Sequence, residues 1–367
     1  MPKAAVLNAY DTPLEIADLT IDEPHAGEVK VQVVASGVCH SDLSVKNMTM
    51  PLPPPLVLGH EGAGIVTQVG EGVTSVAEGD HVVISWVPQC GNCFYCNRNQ
   101  SYLCESGMLG MMSGGLTDGT KRFHRGDTEI GQMACSGTFS SETIVPETGC
   151  VKIPDGVDLK HGALIGCGVQ TGVGAAMNTA NIRQGDTVAV LGCGGVGLNV
   201  VQGAKLAGAE RIIAIDMMDN KLQMATKFGA TDTVNAGDGN AIDAVTGLTE
   251  GRGADVAFEV IGLKPTIDQT IAMTRRGGEA VLVGVPKMDV QLEMLAGLGM
   301  VMPAKTVKGC WYGSSNVQKF VPELLQLHRD GKLMLDELIS RTITIDEVNE
   351  AFDAMAGGEV ARSIIEH

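Results

Sequence analysis

The sequence predicts an α/β protein of two domains, a β-rich domain followed by a domain built on a doubly wound parallel sheet. The chain has 367 residues, more than a single hydrophobic core usually serves. Short strands separated by glycines dominate its first part, and an alternation of apolar strands with helices begins near residue 169. The predicted limits are 1–168 for the first domain, 169–311 for the second, and 312–367 for a return to the first.

The first part is predicted to be rich in strands. In "EVKVQVVASG", Val29, Val31 and Val33 alternate with other residues, as in a half-buried strand. "AGIVTQVG" and "GDHVVISWV" are further short strands. "MTMPLPPPLVLG" is predicted to be a loop, because its prolines remove hydrogen-bond donors and fix φ.

The second part alternates strands with helices. "DTVAVLG", "RIIAID", "DTVNA", "ADVAFEVIG" and "EAVLVGV" are apolar runs, and "GLNVVQGAKLAGA" and "NKLQMATKFG" are helical stretches between them. Nearly continuous apolar strands separated by helices indicate a parallel sheet covered on both faces. The tail contains helices but no comparable series of strands, and we expect it to pack back on the first domain.

Composition and charge exclude several classes of protein. Hydrophobic residues make up 44% and charged residues 19%, which is typical of a soluble globular protein. No segment approaches the ~18 consecutive apolar residues of a membrane helix, and Asp11 and Glu15 argue against a secretory signal. The net charge of −17 argues against nucleic acid or an anionic membrane as a partner. A cytoplasmic protein is therefore expected.

Four cysteines lie close together in a lobe of about residues 88–105, with the spacing C-x2-C-x2-C-x7-C: Cys90, Cys93, Cys96 and Cys104. In a reducing cytosol such a cluster favours a metal over a disulfide. The spacing favours a structural zinc ion, with an iron–sulfur cluster and fortuitous clustering as alternatives. Four thiolates leave no open position, so this site is expected to hold a loop and not to catalyse.

A dinucleotide fingerprint begins the second domain. Gly192, Gly194 and Gly197 form G-x-G-x-x-G between a strand and a helix, and Asp216 follows 19 residues after Gly197. The glycines allow the tight turn, the approach of the pyrophosphate and close packing of helix on strand. Asp216 suits the ribose hydroxyls and repels a 2′-phosphate, so NAD is favoured over NADP. The alternative is a glycine-rich turn in an α/β domain without a ligand.

A second metal site is suggested by three residues beside glycine-rich turns. Cys39 lies in "SGVCHSD", His60 in "LGHEGAG" and Cys167 in "IGCGVQTG". A single buried cysteine or histidine is usually an ordinary core residue. Spacing alone does not establish that these three side chains meet.

The sequence resembles the zinc-dependent alcohol dehydrogenases of the medium-chain dehydrogenase/reductase superfamily from end to end. "GHEGAGIVTQVGEGV", the cysteine lobe, "CGVQTG", "GCGGVG" and "VLVGVP" fall where that family has them. The resemblance implies a GroES-like catalytic domain and a Rossmann domain. It implies that Cys39, His60 and Cys167 bind a catalytic zinc with water or substrate as fourth ligand, giving two Zn²⁺ per chain and NAD.

The resemblance also implies roles for individual residues. Ser41 accepts the alcohol proton, Asp42 orients the zinc-binding histidine, and Glu61 lies behind the metal. Several relatives carry a histidine where this chain has Ser44, so the proton relay here must use water or another group. The implied cofactor contacts are His40, Thr171, Gly192, Gly194, Gly195, Val196, Gly197, Asp216, Lys221, Val283 and, on the pyrophosphate, Arg362.

The implied substrate is a hydrophobic primary alcohol, aliphatic or aromatic, interconverted with its aldehyde. Trp86 is expected to line the inner pocket, and Met50 and Met108 its mouth, unless these methionines only fill gaps. A thiol-adduct (formaldehyde-type) or polyol dehydrogenase is the alternative, and a non-catalytic NAD-binding structural protein a further one. The 34 residues between Cys104 and Phe139 resemble the connection of the long-loop, liver or class III-like type. They predict a homodimer, with a tetramer as the alternative.

Overall fold

The computed structural model describes residues 1–358 and 361–367, which form two compact units. One unit comprises Met1–Gly168 together with Asn316–His367, and the other comprises Val169–Ser315. The predicted α/β class is confirmed. The predicted domain limits of 1–168, 169–311 and 312–367 stay predictions.

The strands are, in chain order, β1 Lys3–Leu7, β2 Glu15–Asp18, β3 Thr20–Ile21, β4 Glu28–Val38, β5 Leu56–Val57, β6 Glu61–Val69, β7 His81–Ile84, β8 Phe123–Arg125, β9 Thr128–Gln132, β10 Glu142–Pro146, β11 Cys150–Lys152, β12 Thr187–Leu191, β13 Arg211–Asp216, β14 Asp232–Asn235, β15 Ala254–Glu259, β16 Thr274–Leu282, β17 Thr306–Gly309, β18 Ile339–Ile343 and β19 Arg362–Glu366. The α-helices are α1 His40–Lys46, α2 Glu105–Ser113, α3 Leu159–Leu164, α4 Gln170–Gly174, α5 Gly195–Leu206, α6 Asp219–Phe228, α7 Ala241–Leu248, α8 Lys264–Met273, α9 Val317–Arg329 and α10 Val348–Ala356.

Two sheets form the frame of the first unit. One has the strand order β2-β1-β5-β9-β8-β3, and the other has the order β11-β7-β6-β4-β19-β18 with β10 also paired to β4. The long strand β4 is central because its valines at positions 29, 31 and 33 are all buried in one apolar cluster. β4 and β6 are antiparallel, so the end of β4 lies beside the start of β6, with Gly37 opposite Glu61. This pairing brings the residues after β4 close to those before β6.

The C-terminal segment adds two strands that the sequence did not reveal. β19 pairs antiparallel with β4, with Ser363 opposite Val38, and β18 pairs parallel with β19. Both strands are only five residues long, and they follow helices that carry the stronger pattern. The start of β19 therefore lies beside the end of β4, at the same edge of the sheet as the beginning of β6.

The second unit contains a parallel sheet with the order β14-β13-β12-β15-β16-β17. Its core is apolar on one face through alternate residues such as Ala189, Leu191, Ile213 and Ile215. The strand order reverses at β12, and ligands of such sheets bind at the carboxyl ends of the strands beside that point. The glycine-rich turn that follows β12 occupies this place.

Within residues 1–358 and 361–367, no helix combines the length and the apolar character needed to cross a membrane.

Candidate active site

Three residues that are far apart in the sequence meet at the edge of the β4–β6 sheet. Cys39 follows β4, His60 precedes β6, and Cys167 lies in a π-helical turn, Ile165–Val169, after α3. One ligand atom of each, together with a carboxylate oxygen of Glu61, lies within 4.8 Å of the others. The three predicted ligands are 2–6% exposed. The fold therefore concentrates two sulfurs and one imidazole nitrogen at one buried point.

Asp42 fixes the orientation of His60. Nδ1 of His60 donates to Oδ1 of Asp42 over 2.9 Å, so Nε2 must carry the free lone pair of the neutral ring. The same carboxylate accepts from the backbone N–H of Cys39 at 2.9 Å and from that of Gly59 at 3.1 Å. Asp42 is the third residue of α1, which begins at His40, and its side chain caps the helix by accepting from the backbone N–H of Cys39.

The donor set fits a zinc ion. Nε2 of His60 is buried and has no hydrogen-bond partner among the described residues, although a buried nitrogen of this kind is costly to leave unpaired. Two thiolates and one imidazole suit zinc, and three protein ligands leave a fourth position open. Histidine ligands of zinc typically donate their second nitrogen to a carboxylate, as His60 does to Asp42.

The thiols of Cys39 and Cys167 differ in pKa. The hydrogen bond that Cys167 donates to Cys39 holds the pKa of Cys39 well below its usual range. The same contact, together with burial, raises the pKa of Cys167 well above its usual range. Burial works against a charged imidazole, but the neighbouring Asp42 carboxylate raises the pKa of His60. One thiolate at Cys39 is therefore already favoured before any metal binds.

A buried contact between a glutamate and an arginine lies against the same cluster. Oε1 of Glu61 and Nη1 of Arg362 are 3.4 Å apart, and both side chains are almost completely buried. Burial raises the pKa of Glu61 to about 8, although the positive charge of Arg362 opposes this shift. A side chain at Gly168 would collide with the Arg362 guanidinium in its present position, so the glycine leaves room for that group. The predicted contact of Arg362 with a pyrophosphate stays a prediction.

The predicted proton-relay residues lie on α1. Sγ of Cys39 and Oγ of Ser41 are 3.9 Å apart, which places the hydroxyl beside the metal ligands. Ser44 lies one turn further along the same helix and is half-buried, whereas His40 is exposed. Residues three apart on a helix are neighbours on one face. Ser41 and Ser44 therefore lie on the same face of α1, and their roles in a proton relay stay predictions.

Trp86 stands directly against the imidazole of His60. The two rings meet edge to face at 90°, with centroids 6.2 Å apart. Trp86 is 8% exposed, and its indole limits the space beside the predicted metal. Met50 and Met108 are both half-buried, and no contact assigns either of them to a substrate. Their placement at the pocket mouth stays a prediction.

The four lobe cysteines converge in the first unit. Their sulfur atoms lie within 4.8 Å of one another, and the Cys90–Cys96 separation is 4.0 Å. Sulfurs around a tetrahedral zinc are about 3.8 Å apart, from Zn–S bonds of about 2.3 Å. None of the cysteines forms a disulfide. The arrangement has the size and composition of a closed zinc site.

Backbone amides point at these sulfurs. The N–H of Cys90 donates to Sγ of Cys104 at 3.3 Å, and the N–H of Cys96 donates to Sγ of Cys93 at 3.5 Å. Burial opposes ionisation, but the amides of Cys96 and Glu105 lower the pKa of Cys93 to about 6. Burial raises the pKa of Cys96 to about 12. Without a cation, the four thiols cannot all ionise near neutral pH.

The glycine-rich turn of the second unit has the shape of a phosphate cradle. Gly192 has φ +101°, which favours glycine. A Cβ at Gly197 would collide with the carbonyl oxygen of Gly192, whereas a Cβ at Gly194 would point into open space. Gly194 precedes α5, so its backbone and the amides at the helix start are accessible to an anion. These residues fit a dinucleotide.

Asp216 ends β13 beside this turn. Its Oδ2 accepts from the N–H of Cys193 at 2.9 Å, and its Oδ1 accepts from the N–H of Met218 at 3.1 Å. The carboxylate is thereby held at the carboxyl end of the sheet, with lone pairs left for a hydroxyl donor. The other predicted contacts within this unit lie in α4 (Thr171), α5 (Gly195, Val196), α6 (Lys221) and the residue after β16 (Val283). Their roles stay predictions.

Two features could not be found from the sequence. The Glu61–Arg362 pair joins residues that are hundreds of positions apart, and only the unpredicted strand β19 brings them together. His161 and His328, which had no partner that the sequence could identify, both lie near Asp336. No local pattern signals either arrangement.

Comparisons with known proteins define the class. Residues 25–155 match the family described as alcohol dehydrogenase GroES-like domain, and residues 195–328 match that described as zinc-binding dehydrogenase. The chain belongs to the zinc-binding alcohol dehydrogenase family, a member of the medium-chain dehydrogenase/reductase group, and it is an alcohol dehydrogenase. The predicted combination of a GroES-like domain with a Rossmann domain is confirmed.

Individual relatives match over the whole chain. The chain is 40% identical to an NDMA-dependent alcohol dehydrogenase of Amycolatopsis methanolica, over 100% of this chain and 98% of that protein. Its structure resembles an alcohol dehydrogenase zinc-binding domain protein from Burkholderia ambifaria, with a TM-score of 0.94, 33% identity and coverage of 100% and 98%. It also resembles the benzyl alcohol dehydrogenase of Acinetobacter calcoaceticus, with a TM-score of 0.93, 31% identity and coverage of 100% and 99%.

Proposed function

We propose that the enzyme oxidises a hydrophobic primary alcohol, aliphatic or aromatic, to the aldehyde, and catalyses the reverse reaction, with NAD as the hydride acceptor. The observation that carries this proposal is that the sulfurs of Cys39 and Cys167 lie close to the ring nitrogen Nε2 of His60. Asp42 holds the His60 imidazole in the tautomer that leaves Nε2 available to bind a metal. A protein that only folds has no need of such an open, buried donor set.

The chain's own residues hold and move the reacting groups. Cys39, His60 and Cys167 would hold a zinc ion, which as a Lewis acid lowers the pKa of an alcohol hydroxyl. Ser41, 3.9 Å from Sγ of Cys39, accepts the proton released by that hydroxyl and passes its own proton on to water or another group. Trp86 packs against His60 and excludes water from one side. NAD would accept the hydride, and Asp216 would bind its ribose hydroxyls.

The pocket wall favours a flat or extended apolar substrate. The indole of Trp86 lies edge-on to the His60 ring and offers a large apolar surface close to the metal ligands. The similarity to a benzyl alcohol dehydrogenase supports an aromatic primary alcohol as one substrate. A polyol would bury hydroxyl groups against this surface without partners, which is costly.

The name of the Amycolatopsis relative favours a second candidate, an alcohol dehydrogenase whose turnover depends on NDMA. Under the first candidate, soluble NAD alone sustains continuous turnover. Under the second, added NDMA is required, and NAD in solution does not replace it.

We assign the chain to the long-loop type and expect a homodimer. β17 is the last strand of its sheet, so one of its edges has no strand partner among the described residues. The preceding segment leaves Leu295, Leu298 and Val301 largely exposed. Exposed strand edges and apolar patches of this kind are typical of interfaces. Light scattering should give a dimer mass, and a tetramer would contradict this assignment.

The proposed activity is tested by assaying the purified protein with a straight-chain primary alcohol, benzyl alcohol, a polyol and a formaldehyde–thiol adduct. Each is supplied with NAD, with NDMA and with both. The oxidised product is measured in each case: the aldehyde from the two primary alcohols, the aldehyde or ketone from the polyol, and the thioester from the thiol adduct. We expect the two apolar alcohols to give the highest kcat/KM. Preference for the polyol or the thiol adduct would overturn the substrate assignment, and turnover only with NDMA would establish the second candidate.

A further inference from the structure

A third group of metal-binding side chains lies in the first unit, formed by His161, His328 and Asp336. Nε2 of His161 and Oδ1 of Asp336 are 2.9 Å apart, and Nε2 of His328 is 4.0 Å from Oδ2 of the same carboxylate. The two imidazole rings have centroids 4.7 Å apart. We propose that this His–His–Asp cluster binds a divalent transition-metal cation, and zinc in particular.

A hydrogen bond to the backbone fixes the tautomer of His328. Its Nδ1 lies 2.9 Å from the carbonyl oxygen of Leu333, and since a carbonyl only accepts, Nδ1 must carry the proton. In the neutral ring, Nε2 therefore carries a lone pair, and this lone pair faces the Asp336 carboxylate. Two acceptors that face each other repel unless a proton or a metal cation lies between them. A hydrogen bond from the second imidazole nitrogen to a backbone carbonyl is also typical of histidines that bind metals.

The distances suit one small cation. Ligand atoms around a tetrahedral zinc are about 3.3 Å apart, from bonds of about 2.0–2.1 Å. The His328–Asp336 separation of 4.0 Å lies above that value. The His161–Asp336 separation of 2.9 Å is a hydrogen bond in which Nε2 of His161 donates to Oδ1 of Asp336, and a bound cation would take the place of that proton. The side chains of His161 and His328 are 11% and 25% exposed, whereas that of Asp336 is 72% exposed and can adjust its carboxylate. Two held imidazoles and one mobile carboxylate can therefore close on a metal.

The donor chemistry selects the kind of cation. Two imidazole nitrogens favour zinc, nickel, cobalt or copper, whereas magnesium and calcium prefer sites made only of oxygen ligands. Three protein ligands leave a position for water on the exposed side. No cysteine belongs to this cluster, which distinguishes it from the two cysteine-containing groups of the same unit.

A bound cation would join separate parts of the first unit. His161 lies in α3, His328 in the last turn of α9, and Asp336 in the short helical turn that follows. α3 runs directly into the turn that carries Cys167. A ligand that binds only the folded protein stabilises it, so the cation would stabilise the attachment of the C-terminal segment to α3.

The test compares zinc binding by the intact protein and by His328→Ala and Asp336→Asn. Each protein is equilibrated by dialysis against the same buffered zinc solution, and bound zinc is counted by mass spectrometry. We expect the intact protein to hold one zinc ion per chain more than either variant, and the affinity lost with one ligand to exceed about tenfold. Asp336→Asn changes an exposed side chain, so its folding is not at risk.

His124→Ala is the matched control, because His124 forms a similar pair with Asp22 at 3.0 Å but is not part of a three-ligand group. Its zinc count should equal that of the intact protein. Micromolar zinc should also raise the Tm of the intact protein and of His124→Ala, but not that of the two cluster variants. Equal zinc counts and equal Tm responses in all four proteins would overturn the proposal.

Discussion

Nδ1 of His60 donates to Oδ1 of Asp42 over 2.9 Å, at a place where these side chains are 3% and 0% exposed. Asp42 also accepts two backbone N–H groups, so three donors fix its position and it in turn fixes the ring. The position of Nε2 is therefore determined before any metal binds. This preorganisation leads to the first prediction.

Asp42→Asn should weaken zinc binding at this site by about 10–100-fold, because an amide is a poorer acceptor and no longer raises the basicity of His60. The measurement is the zinc retained after dialysis against a graded series of chelator concentrations, together with kcat. Asp22→Asn, which changes an exposed partner of His124, is the control and should behave as the unaltered protein. Equal zinc retention by both variants would contradict the prediction.

The two cysteine-containing groups should respond differently to the loss of one ligand. Cys39→Ala should remove one zinc ion per chain and abolish turnover while the fold persists. Cys96→Ala should also remove one zinc ion, but its main effect should be a lower Tm, because the lobe loses its closed metal site. Cys150→Ala alters a buried thiol outside both cysteine-containing groups, so the zinc ions of both groups should be retained. One zinc per chain in the unaltered protein, with activity surviving Cys39→Ala, would refute the two-site assignment.

The sequence predicts best what is local in the chain. The lobe cysteines span fifteen positions and the glycine-rich turn six, so their spacing alone indicates which atoms converge. The meeting of Cys39, His60 and Cys167 depends instead on the register of β4 and β6 and on the turn after α3. Only the resemblance to a family suggested it.

Longer-range features escape sequence reasoning for a physical reason. β19 is short and is stabilised by pairing with β4, a strand more than 300 positions away, and the equally short β18 pairs in turn with β19. The buried pair of Glu61 and Arg362 depends on that pairing. The His–His–Asp cluster likewise joins α3 to the C-terminal segment. Pairings of this kind leave no periodic signal in either segment.

Glu61 should make the stability of the metal-free protein depend on pH. Its folded pKa is raised by burial from 4.5 to about 8, so the folded state keeps a proton that the unfolded chain loses. The stabilisation is complete below pH 4.5 and is lost as the pH rises to about 8. The Tm of the unaltered protein should therefore fall across this range more steeply than that of Glu61→Gln. Exposed Glu71→Gln is the control, and identical slopes in all three proteins would contradict the assignment.

Asp216 should determine the choice of cofactor. Under the proposed binding of NAD, Asp216→Ala would remove acceptors for the ribose hydroxyls and also a charge that would repel a 2′-phosphate. The KM for NAD should rise about tenfold or more, since hydrogen bonds to charged groups are among the stronger ones, and the KM for NADP should fall. Asp219→Ala, at the start of α6, provides a nearby control. A preference of the unaltered enzyme for NADP would overturn this reading.

Ser44 should limit the release of the substrate proton. Ser41 lies 3.9 Å from Sγ of Cys39, and Ser44 follows one turn later on α1, where an imidazole could accept a proton relayed from Ser41. A well-placed base of that kind contributes ~10²–10⁴-fold when proton transfer limits the rate. Ser44 offers only a hydroxyl, which cannot store the proton near neutral pH, so water or buffer must take it.

Ser44→His should therefore raise kcat near neutral pH, and added imidazole should stimulate the unaltered enzyme more than the variant. The competing terminal base is His40, which lies exposed at the start of the same helix. His40→Gln separates the two routes. If His40 is the terminal base, His40→Gln loses activity, and added imidazole restores it. A Ser44→His variant with unchanged rate and unchanged buffer dependence would show that proton release does not limit turnover, and that a later step such as release of the reduced cofactor does.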